Sequence, residues 1–431
     1  MDENPNNELR EKVAPIRGMK DLYGVDFRKY QFIIDVATRI ANKFGYQLIE
    51  TPIVEQTAVF QRSLGDESDV VSKEMYSFVD KGGEDITLRP EGTAGVMRAI
   101  SSNKLLVNNN NPLKLMYYGP MFRYDRPQKG RYRQFHQIGF EHIGEKSPYT
   151  DVVNIALAMD IFKNIGLCGV VVHINTLGGA VSREKYAKAL VEYLNKYEQQ
   201  LSAVSKCRLK KNPLRILDSK EPTDIDICTN APKIQDFLTP DDKKYFDTVL
   251  ELLKLWSIDY EVDPKLVRGL DYYTHTTFEF KIPNGSYQDA LGGGGRYDGL
   301  LKLFGGNDIS GVGFALGAER IMMLLNEKIL PPLGRKVAVI PVSENEFADV
   351  FELMATLLDE QVPTELILTG SNLKKRVEIA TKRGCSHLIV IGDDEKKQCN
   401  VALTEIDNPK LRNILLSKNK LISFLKEECN F

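Results

Sequence analysis

A chain of 431 residues is too long for one ordinary domain and has room for two or three. Its 57 Lys+Arg face 59 Asp+Glu, a net charge of −2, which excludes nucleic-acid binding through overall positive charge and leaves only local basic patches. Hydrophobic residues at 42 % and charged residues at 27 % are the balance of a soluble globular protein with a sizeable core.

The cysteines stand at 168, 207, 228, 385, 399 and 429, with no CxxC pair and no Cys/His cluster of zinc spacing. Reduced thiols in a reducing, cytoplasmic setting are expected, and no metal site made by the protein alone. The opening MDENPNNELREK is polar and carries acids, unlike a secretory signal or a transit peptide. No apolar run approaches the roughly 20 residues of a membrane helix, so no membrane partner is expected.

Residues 1–14 read as a flexible N-terminus. From Lys29 to Phe44 the apolar positions Phe32, Ile33, Val36, Ala37, Ile40 and Phe44 follow helical spacing, and Gly45 stops the helix. Residues 47–52 read as a short strand ending at Pro52. Residues 76–79 and 86–88 form a hairpin around Lys81-Gly82-Gly83. Leu113–Phe122 and Arg133–Ile143 read as strands around a basic loop, Thr150–Gly166 as a helix and Val170–Asn175 as a strand. The stretch of about 180–262 is helical, lysine-rich and glycine-poor, as an insertion between two β-rich blocks would be. Strand and glycine signals return at 266–317, a helix follows at 319–326, and 331–335 reads as a linker. Over 336–431 strands alternate with helices: 337–341, 347–358, 365–368, 373–383 and 387–391. That alternation predicts a separate α/β domain with parallel strands.

Five segments carry candidate chemistry. In Thr87–Gly95, Glu91 lies between Pro90 and Gly92 at a fixed turn, where a carboxylate binds an ammonium group or simply meets water. In Tyr117–Glu141, Arg123, Arg126, Lys129, Arg131 and Arg133 face the single acid Asp125 on a loop anchored by both strands. Such a loop suits an anion, because arginine offers a planar fork of donors. Gln137 and Glu141 share one face of the second strand, lining either a polar pocket or a solvated sheet face. Arg268, Asp271, Tyr272 and Tyr273 head a β-rich stretch. Gly292–Gly295 permit close backbone approach but match neither a P-loop nor a dinucleotide fingerprint. Arg320 falls in the first turn of a helix, where a cation is poorly matched to the dipole, which hints at a functional placement over a plain surface arginine.

Taken together these segments resemble the class II aminoacyl-tRNA synthetases and, within them, the histidyl family. The helix at 29–44 with the strand to Pro52, the stretch from Phe122 to Glu141, and Gly311–Arg320 are similar to the three class motifs in order. Leu266-Val-Arg-Gly-Leu-Asp-Tyr-Tyr and Gly294-Gly-Arg-Tyr-Asp-Gly299 are similar to the segments that mark the histidyl branch. The resemblance runs from about Ile16 to the C-terminus, with Tyr124-Asp125 where His-Glu is common and one extra glycine before Arg296.

The resemblance implies an α+β catalytic core over 15–330, an antiparallel sheet with flanking helices, carrying the helical insertion. It implies a C-terminal α/β anticodon-binding domain over 336–431. It implies histidine activation with ATP and Mg²⁺, then transfer to the 3′ end of the histidine tRNA, by a homodimer. Arg123 would grip the ATP α-phosphate, Arg320 the γ-phosphate end, and Arg268 would be the catalytic arginine beside the carboxylate and α-phosphate. Glu91, Gly92 and Thr93, with Gln137, would hold the histidine α-ammonium. Glu141 and Tyr273 would read the imidazole, with Tyr272 and Tyr297 lining the pocket, and Glu141 would also border ATP. The tRNA would meet Arg126, Lys129 and Arg131, and in the C-terminal domain Lys374, Lys375 and Arg376. A basic cluster in the insertion, Lys206, Arg208, Lys210, Lys211, Arg215 and Lys220 beside Asp218, would face the acceptor stem or only solvent. Two relatives of the same fold compete with this reading. One is the non-catalytic regulatory subunit of ATP phosphoribosyltransferase, which usually lacks the second domain and erodes the arginines. The other is a pseudo-synthetase that senses uncharged tRNA within a regulator.

Overall fold

The computed structural model describes residues 13–65, 68, 70–106, 112–267, 272–283, 290–332 and 334–429. The expected flexible stretch at 1–14 lies mostly outside them. The chain divides into two units, 1–330 and 331–431.

In the larger unit, α1 (Gly24–Lys43) buries Ile33, Val36, Ala37 and Ile40 along one stripe. It ends at Gly45, whose φ of +78° is the left-handed conformation that closes a helix. The expected strand at 47–52 is shorter, β1 (Gln47–Leu48), because the Thr51 carbonyl is taken by Arg89 Nη1 at 3.0 Å instead of a neighbouring strand. A small antiparallel sheet follows, from β2 (Val54–Gln56), β3 (Tyr76–Val79) and β4 (Asp85–Leu88) in the order β2-β4-β3, with α2 (Thr57–Leu64) between its first two strands. Next come α3 (Thr93–Ser102), β5 (Leu113–Phe122), β6 (Gln134–Ile143), α4 (Pro148–Asn164) and β7 (Val171–Thr176). The β5–β6 hairpin pairs without a slip from Leu113↔Ile143 to Phe122↔Gln134. Ser147 caps α4 by accepting the Tyr149 N–H.

Helices α5 (Ala180–Asn195), α6 (Ala203–Lys211) and α7 (Pro222–Thr229) share a core of their own around Tyr186, Leu190, Leu209 and Ile227. The stretch expected to be one insertion up to 262 divides here. Helix α8 (Pro240–Leu255) instead buries Phe246, Val249 and Leu253 in the main core, and β8 (Tyr260–Val262) pairs with β7. The chain returns through β9 (Thr274–Lys281), β10 (Gly292–Arg296) and β11 (Gly311–Gly317) to the short helix α9 (Ala318–Met322). The eight strands run β1-β5-β6-β11-β10-β9-β7-β8. The inner six are antiparallel, as expected, but the outermost strands β1 and β8 join in parallel, so the sheet is mixed at its edges. The glycine run is a strand pressed flat on its neighbour: a Cβ on Gly294 would stand 2.0 Å from the Gly313 carbonyl oxygen. Phe140, Phe278, Phe280 and Phe314 fill the space between sheet and helices.

The smaller unit contains β12 (Val337–Pro341), α10 (Phe347–Asp359), β13 (Thr364–Leu366), α11 (Leu373–Lys382), β14 (His387–Ile391), α12 (Asp393–Lys397), β15 (Asn400–Glu405), β16 (Ile414–Ser417) and α13 (Lys418–Glu427). Its strand order is β13-β12-β14-β15-β16. The first three are parallel as the alternation predicts, whereas β15 and β16 add antiparallel strands that it did not anticipate. No described helix is long and apolar enough to cross a membrane.

Candidate active site

A cavity of about 430 Å³ opens in the larger unit, walled by strands β5, β6, β9, β10 and β11 and by the start of α3. Glu91 stands just before α3, and its carboxylate accepts the Thr93 N–H at 2.7 Å and the Ala94 N–H at 2.8 Å. A carboxylate at a helix N-terminus satisfies donors that the helix cannot and meets the positive end of its dipole. Glu91 is nonetheless only 3 % exposed, so the reading of a solvated loop glutamate is excluded. Burial pushes its carboxyl above the usual range, against those hydrogen bonds and the nearby Arg123. Gly92 is needed because a Cβ there would meet the Tyr117 ring at 2.1 Å, and Gly139 presses on the same ring from β6. Tyr117, a residue that sequence reasoning did not single out, is thereby held against Gly92 and Gly139 at the cavity wall.

Glu141, on β6, lies behind the wall and is 1 % exposed. It accepts from Thr93 Oγ1 at 2.7 Å and from the Tyr297 hydroxyl. Burial pushes its carboxyl up to about 8, with those two donors opposing. Tyr272 and Tyr273 lie tilted by 49° with ring centres 4.6 Å apart, and Tyr272 meets Tyr297 edge-on at 5.8 Å. All three tyrosines line the cavity with Thr93 and Gln137. Gln137 Oε1 is buried without a hydrogen-bond partner among the described residues, an acceptor that a ligand donor would satisfy.

Arg123 donates from Nε to the Pro90 carbonyl at 2.8 Å and lies 5.3 Å over the Phe135 ring. Its pKa is lowered by burial, with Glu74 and Glu91 opposing. Arg320 donates to the Ala290 carbonyl at 2.6 Å and the Gly130 carbonyl at 3.4 Å, which bridges the strand β10 side to the basic loop. Both arginines line the cavity, including Arg320, which suited its helix poorly. Beside it Glu319 accepts the His136 N–H and the His136 ring at 2.7 Å, which ties α9 to β6. Arg268 and Asp271 lie outside the described residues.

The basic loop divides. Arg131 lines the cavity 3.7 Å from Asp125, while Arg126 and Lys129 are exposed. Arg133 is a brace: its guanidinium covers the Tyr124 ring at 3.7 Å and its backbone N–H donates to the Gly18 carbonyl. From the helical stretch, Arg208, Arg215 and Asp218 reach the cavity wall rather than a distant surface. Glu74 and Glu279 are further wall residues that sequence reasoning missed. Glu279 has a faint signal, since it alternates with Thr277 and Lys281 along one strand. In the smaller unit Lys374 and Lys375 are exposed, but Arg376 is not. It is 7 % exposed and donates to the Pro341 carbonyl at 2.7 Å and the Val342 carbonyl at 3.2 Å, which fastens α11 to the end of β12. Its expected contact with RNA is corrected accordingly.

A family model described as histidyl-tRNA synthetase matches residues 18–321, and one described as anticodon binding domain matches 336–428. Histidine–tRNA ligase of Rickettsia bellii is 41 % identical over 421 residues, which span 97 % of this chain and all of the relative. Histidine–tRNA ligase of Gluconobacter oxydans is 43 % identical over 403 residues, 93 % of this chain and 96 % of the relative. Among solved structures, apo histidyl-tRNA synthetase of S. aureus superposes with a TM-score of 0.81 at 32 % identity, covering 96 % of this chain and 100 % of its own. With a cavity that sets buried carboxylates and tyrosines beside two arginines, and with matches of this extent over both units, the chain belongs to the histidyl-tRNA synthetase family.

Proposed function

We propose that this chain is a histidine–tRNA ligase whose cavity forms histidyl-adenylate and then charges the histidine tRNA. The observation that carries the reading is the convergence of Glu91, Thr93, Gln137 and Tyr297 on one space that Arg123 and Arg320 also border, with Glu141 behind the wall holding Thr93 and Tyr297. The α-ammonium of histidine fits between the Glu91 carboxylate and the orphan Gln137 oxygen. Neutral imidazole has one donor and one acceptor nitrogen, and a carboxyl paired with phenols meets both. Glu141 with Tyr273 and Tyr297 supplies that pairing, and a site built on such bonds rejects apolar analogues without editing.

In the first step a histidine carboxylate oxygen bonds to the α-phosphorus of ATP while the bond to the β-phosphate oxygen breaks and pyrophosphate leaves. Arg123 at the α-phosphate and Arg320 at the far phosphates neutralise the growing charge, and their backbone anchors hold them in place beforehand. We assign Arg268 the same task beside the carboxylate. Mg²⁺ bound with ATP would draw charge from the phosphates. No cluster of three or more metal-binding side chains occurs among the described residues, so the ion would rest mainly on phosphate oxygens, with Glu279 on the wall as a carboxylate partner. In the second step a hydroxyl of the terminal tRNA ribose attacks the histidyl carbonyl and AMP leaves. Arg126, Lys129 and Arg131 would guide that end, and Lys374 and Lys375 would meet the anticodon arm.

We further read the chain as a cytoplasmic homodimer. Support comes from Val25 and Phe27 on α1, Leu48 on the edge strand β1, and Phe78 and Val79 on β3, all large apolar side chains exposed to water. Sedimentation at micromolar concentration should give twice the chain mass.

Purified protein should exchange labelled pyrophosphate into ATP only when histidine is present. Absence of exchange over a fair range of conditions would sink the ligase reading in favour of the regulatory-subunit relative. Arg268→Ala should depress adenylate formation far more than histidine binding, and equal losses would count against a role in the transition state.

A further inference from the structure

Tyr297 faces the cavity, but the residue before it, Arg296, faces the opposite side of the sheet and has no part in the chemistry above. Arg296 is 0 % exposed. It donates to Asp151 through Nε at 3.0 Å and again through Nη2, and from Nη2 to Thr150 Oγ1 at 2.8 Å and the Ser147 carbonyl at 3.1 Å. From Nη1 it donates to the Glu145 carbonyl, Asp298 and Ser310. Asp151 is equally buried, and it also accepts from Thr276 Oγ1 at 2.6 Å and the Tyr245 hydroxyl at 3.0 Å. One carboxylate on α4 thus ties β9, β10 and α8 together.

The tie falls where the two strands leave regular pairing. Strands β9 and β10 pair evenly from Gly292↔Phe280 to Gly295↔Thr277, and the next pair is Arg296↔Thr274. His275 and Thr276 are left bulged on β9, and His275 takes a φ of +44°, in the left-handed region. A bulge bends its strand and re-aims the side chains beyond it, and such strained residues persist only where the surroundings hold them. The side chains just past the bulge are Tyr273, immediately before β9, and Tyr297, immediately after β10, both lining the cavity. The Asp298 N–H donates to Thr274 Oγ1 at 3.2 Å and locks the same pair of strands beyond it.

A desolvated ion pair is a poor source of net stability, since apolar residues of equal volume do as well or better. It does enforce a single geometry, because only one register satisfies every donor. We propose that Arg296 and Asp151, with Thr276 and Tyr245, form a positioning clasp that sets the β9 bulge and so aims Tyr273 and Tyr297 at the amino-acid side chain, making the clasp a determinant of histidine selectivity. The inference rests on the ligase reading of the cavity.

The test is histidine-dependent pyrophosphate exchange on the full chain, with histidine and ATP varied separately. Tyr245→Phe, Thr276→Val and Asp151→Asn are each measured alone and combined with Tyr297→Phe. The clasp variants should raise KM for histidine about fivefold or more while KM for ATP moves less than about twofold, and their effects should be less than multiplicative with Tyr297→Phe. Unchanged KM for histidine, equal rises for both substrates, or fully multiplicative effects would overturn the clasp. If Asp151→Asn does not fold, the other two, which each remove one polar contact at nearly constant shape, decide the matter. A wild-type chain without histidine-dependent exchange would overturn the ligase reading itself and the clasp with it, so the two failures are told apart before any variant is compared.

Discussion

The two sides of the β9–β10 pair use charge in opposite ways. On the cavity side Arg123 is anchored through one nitrogen to the Pro90 carbonyl and borders open space, while Glu91 and Glu141 are buried at a cost visible in their raised pKa values. On the far side Arg296 meets six acceptors, and its pKa is raised, with Asp151 and Tyr245 outweighing burial. The Arg296 guanidinium is saturated by the fold, whereas the Arg123 guanidinium is held through one nitrogen and faces the cavity. The same residue type therefore gives different consequences when removed.

The largest effect should come from breaking the saturated side. Asp151→Ala leaves Arg296 as an uncompensated buried charge and should cost about 3–5 kcal/mol of stability, read as a shift of the urea midpoint of the larger unit. A loss below about 1 kcal/mol would erase the contrast between the two sides. On the cavity side Arg123→Ala should leave the urea midpoint nearly in place and slow histidine-dependent exchange about 10²–10³-fold, roughly 3–4 kcal/mol of transition-state stabilisation. A variant that instead unfolds with no separate loss in rate would make Arg123 structural.

The carboxylates sharpen the comparison through pH. Glu141 is raised in the folded state to about 8 from 4.5, so the unfolded chain releases this proton first and the stability it lends is present at low pH. That contribution is lost as pH rises through the window between those two values. Relative to Glu141→Gln, the wild type should weaken by about 2 kcal/mol between pH 6 and pH 8, in thermal or urea unfolding without ligand. A gap that stays flat would mean Glu141 is already ionised. Glu91 shifts in the same direction and is common to both proteins, so only the part of its titration that depends on the Glu141 charge enters the difference. The smallest effect belongs to the surface of the other unit. Lys374→Ala should change stability by less than about 0.5 kcal/mol while lowering tRNA affinity and the steepness of its salt dependence. Unaltered binding at low salt would remove this lysine from the RNA surface.

Much of the fold was legible in the chain. The hairpin at 113–122 and 134–143 came within one residue at one end, because two long apolar-rich runs flank a polar loop. The ends of α10, α11 and β14 were similarly close. Other features depended on distant partners. The strand at 47–52 keeps only its first two residues, and the Thr51 carbonyl goes to Arg89, 38 residues further along. Helix α8 looks like its lysine-rich neighbours, yet it packs on α4 through Phe246 and Val249 and so belongs to the main core. Strands β15 and β16 escaped notice because apolar runs of three, Val401–Leu403 and Ile414–Leu416, follow neither the strand nor the helix period. Within the site, Tyr117 and Glu74 looked like ordinary residues until the chain brought α3 and the arginines beside them.

The sequence by itself determined the kinds of chemistry available: arginines on a loop tied at both ends, acids and tyrosines at strand spacing, glycines where backbones must touch, and a second α/β unit. Those are local properties, set by residue type and period. Only the tertiary structure decided which charges face the cavity and which face the protein interior. Neighbouring Lys375 and Arg376 end up exposed and buried, and consecutive Arg296 and Tyr297 end up as clasp and cavity wall. Burial and partnership are set by atoms far along the chain, and it is desolvation and the partners met there that fix a charge's energy.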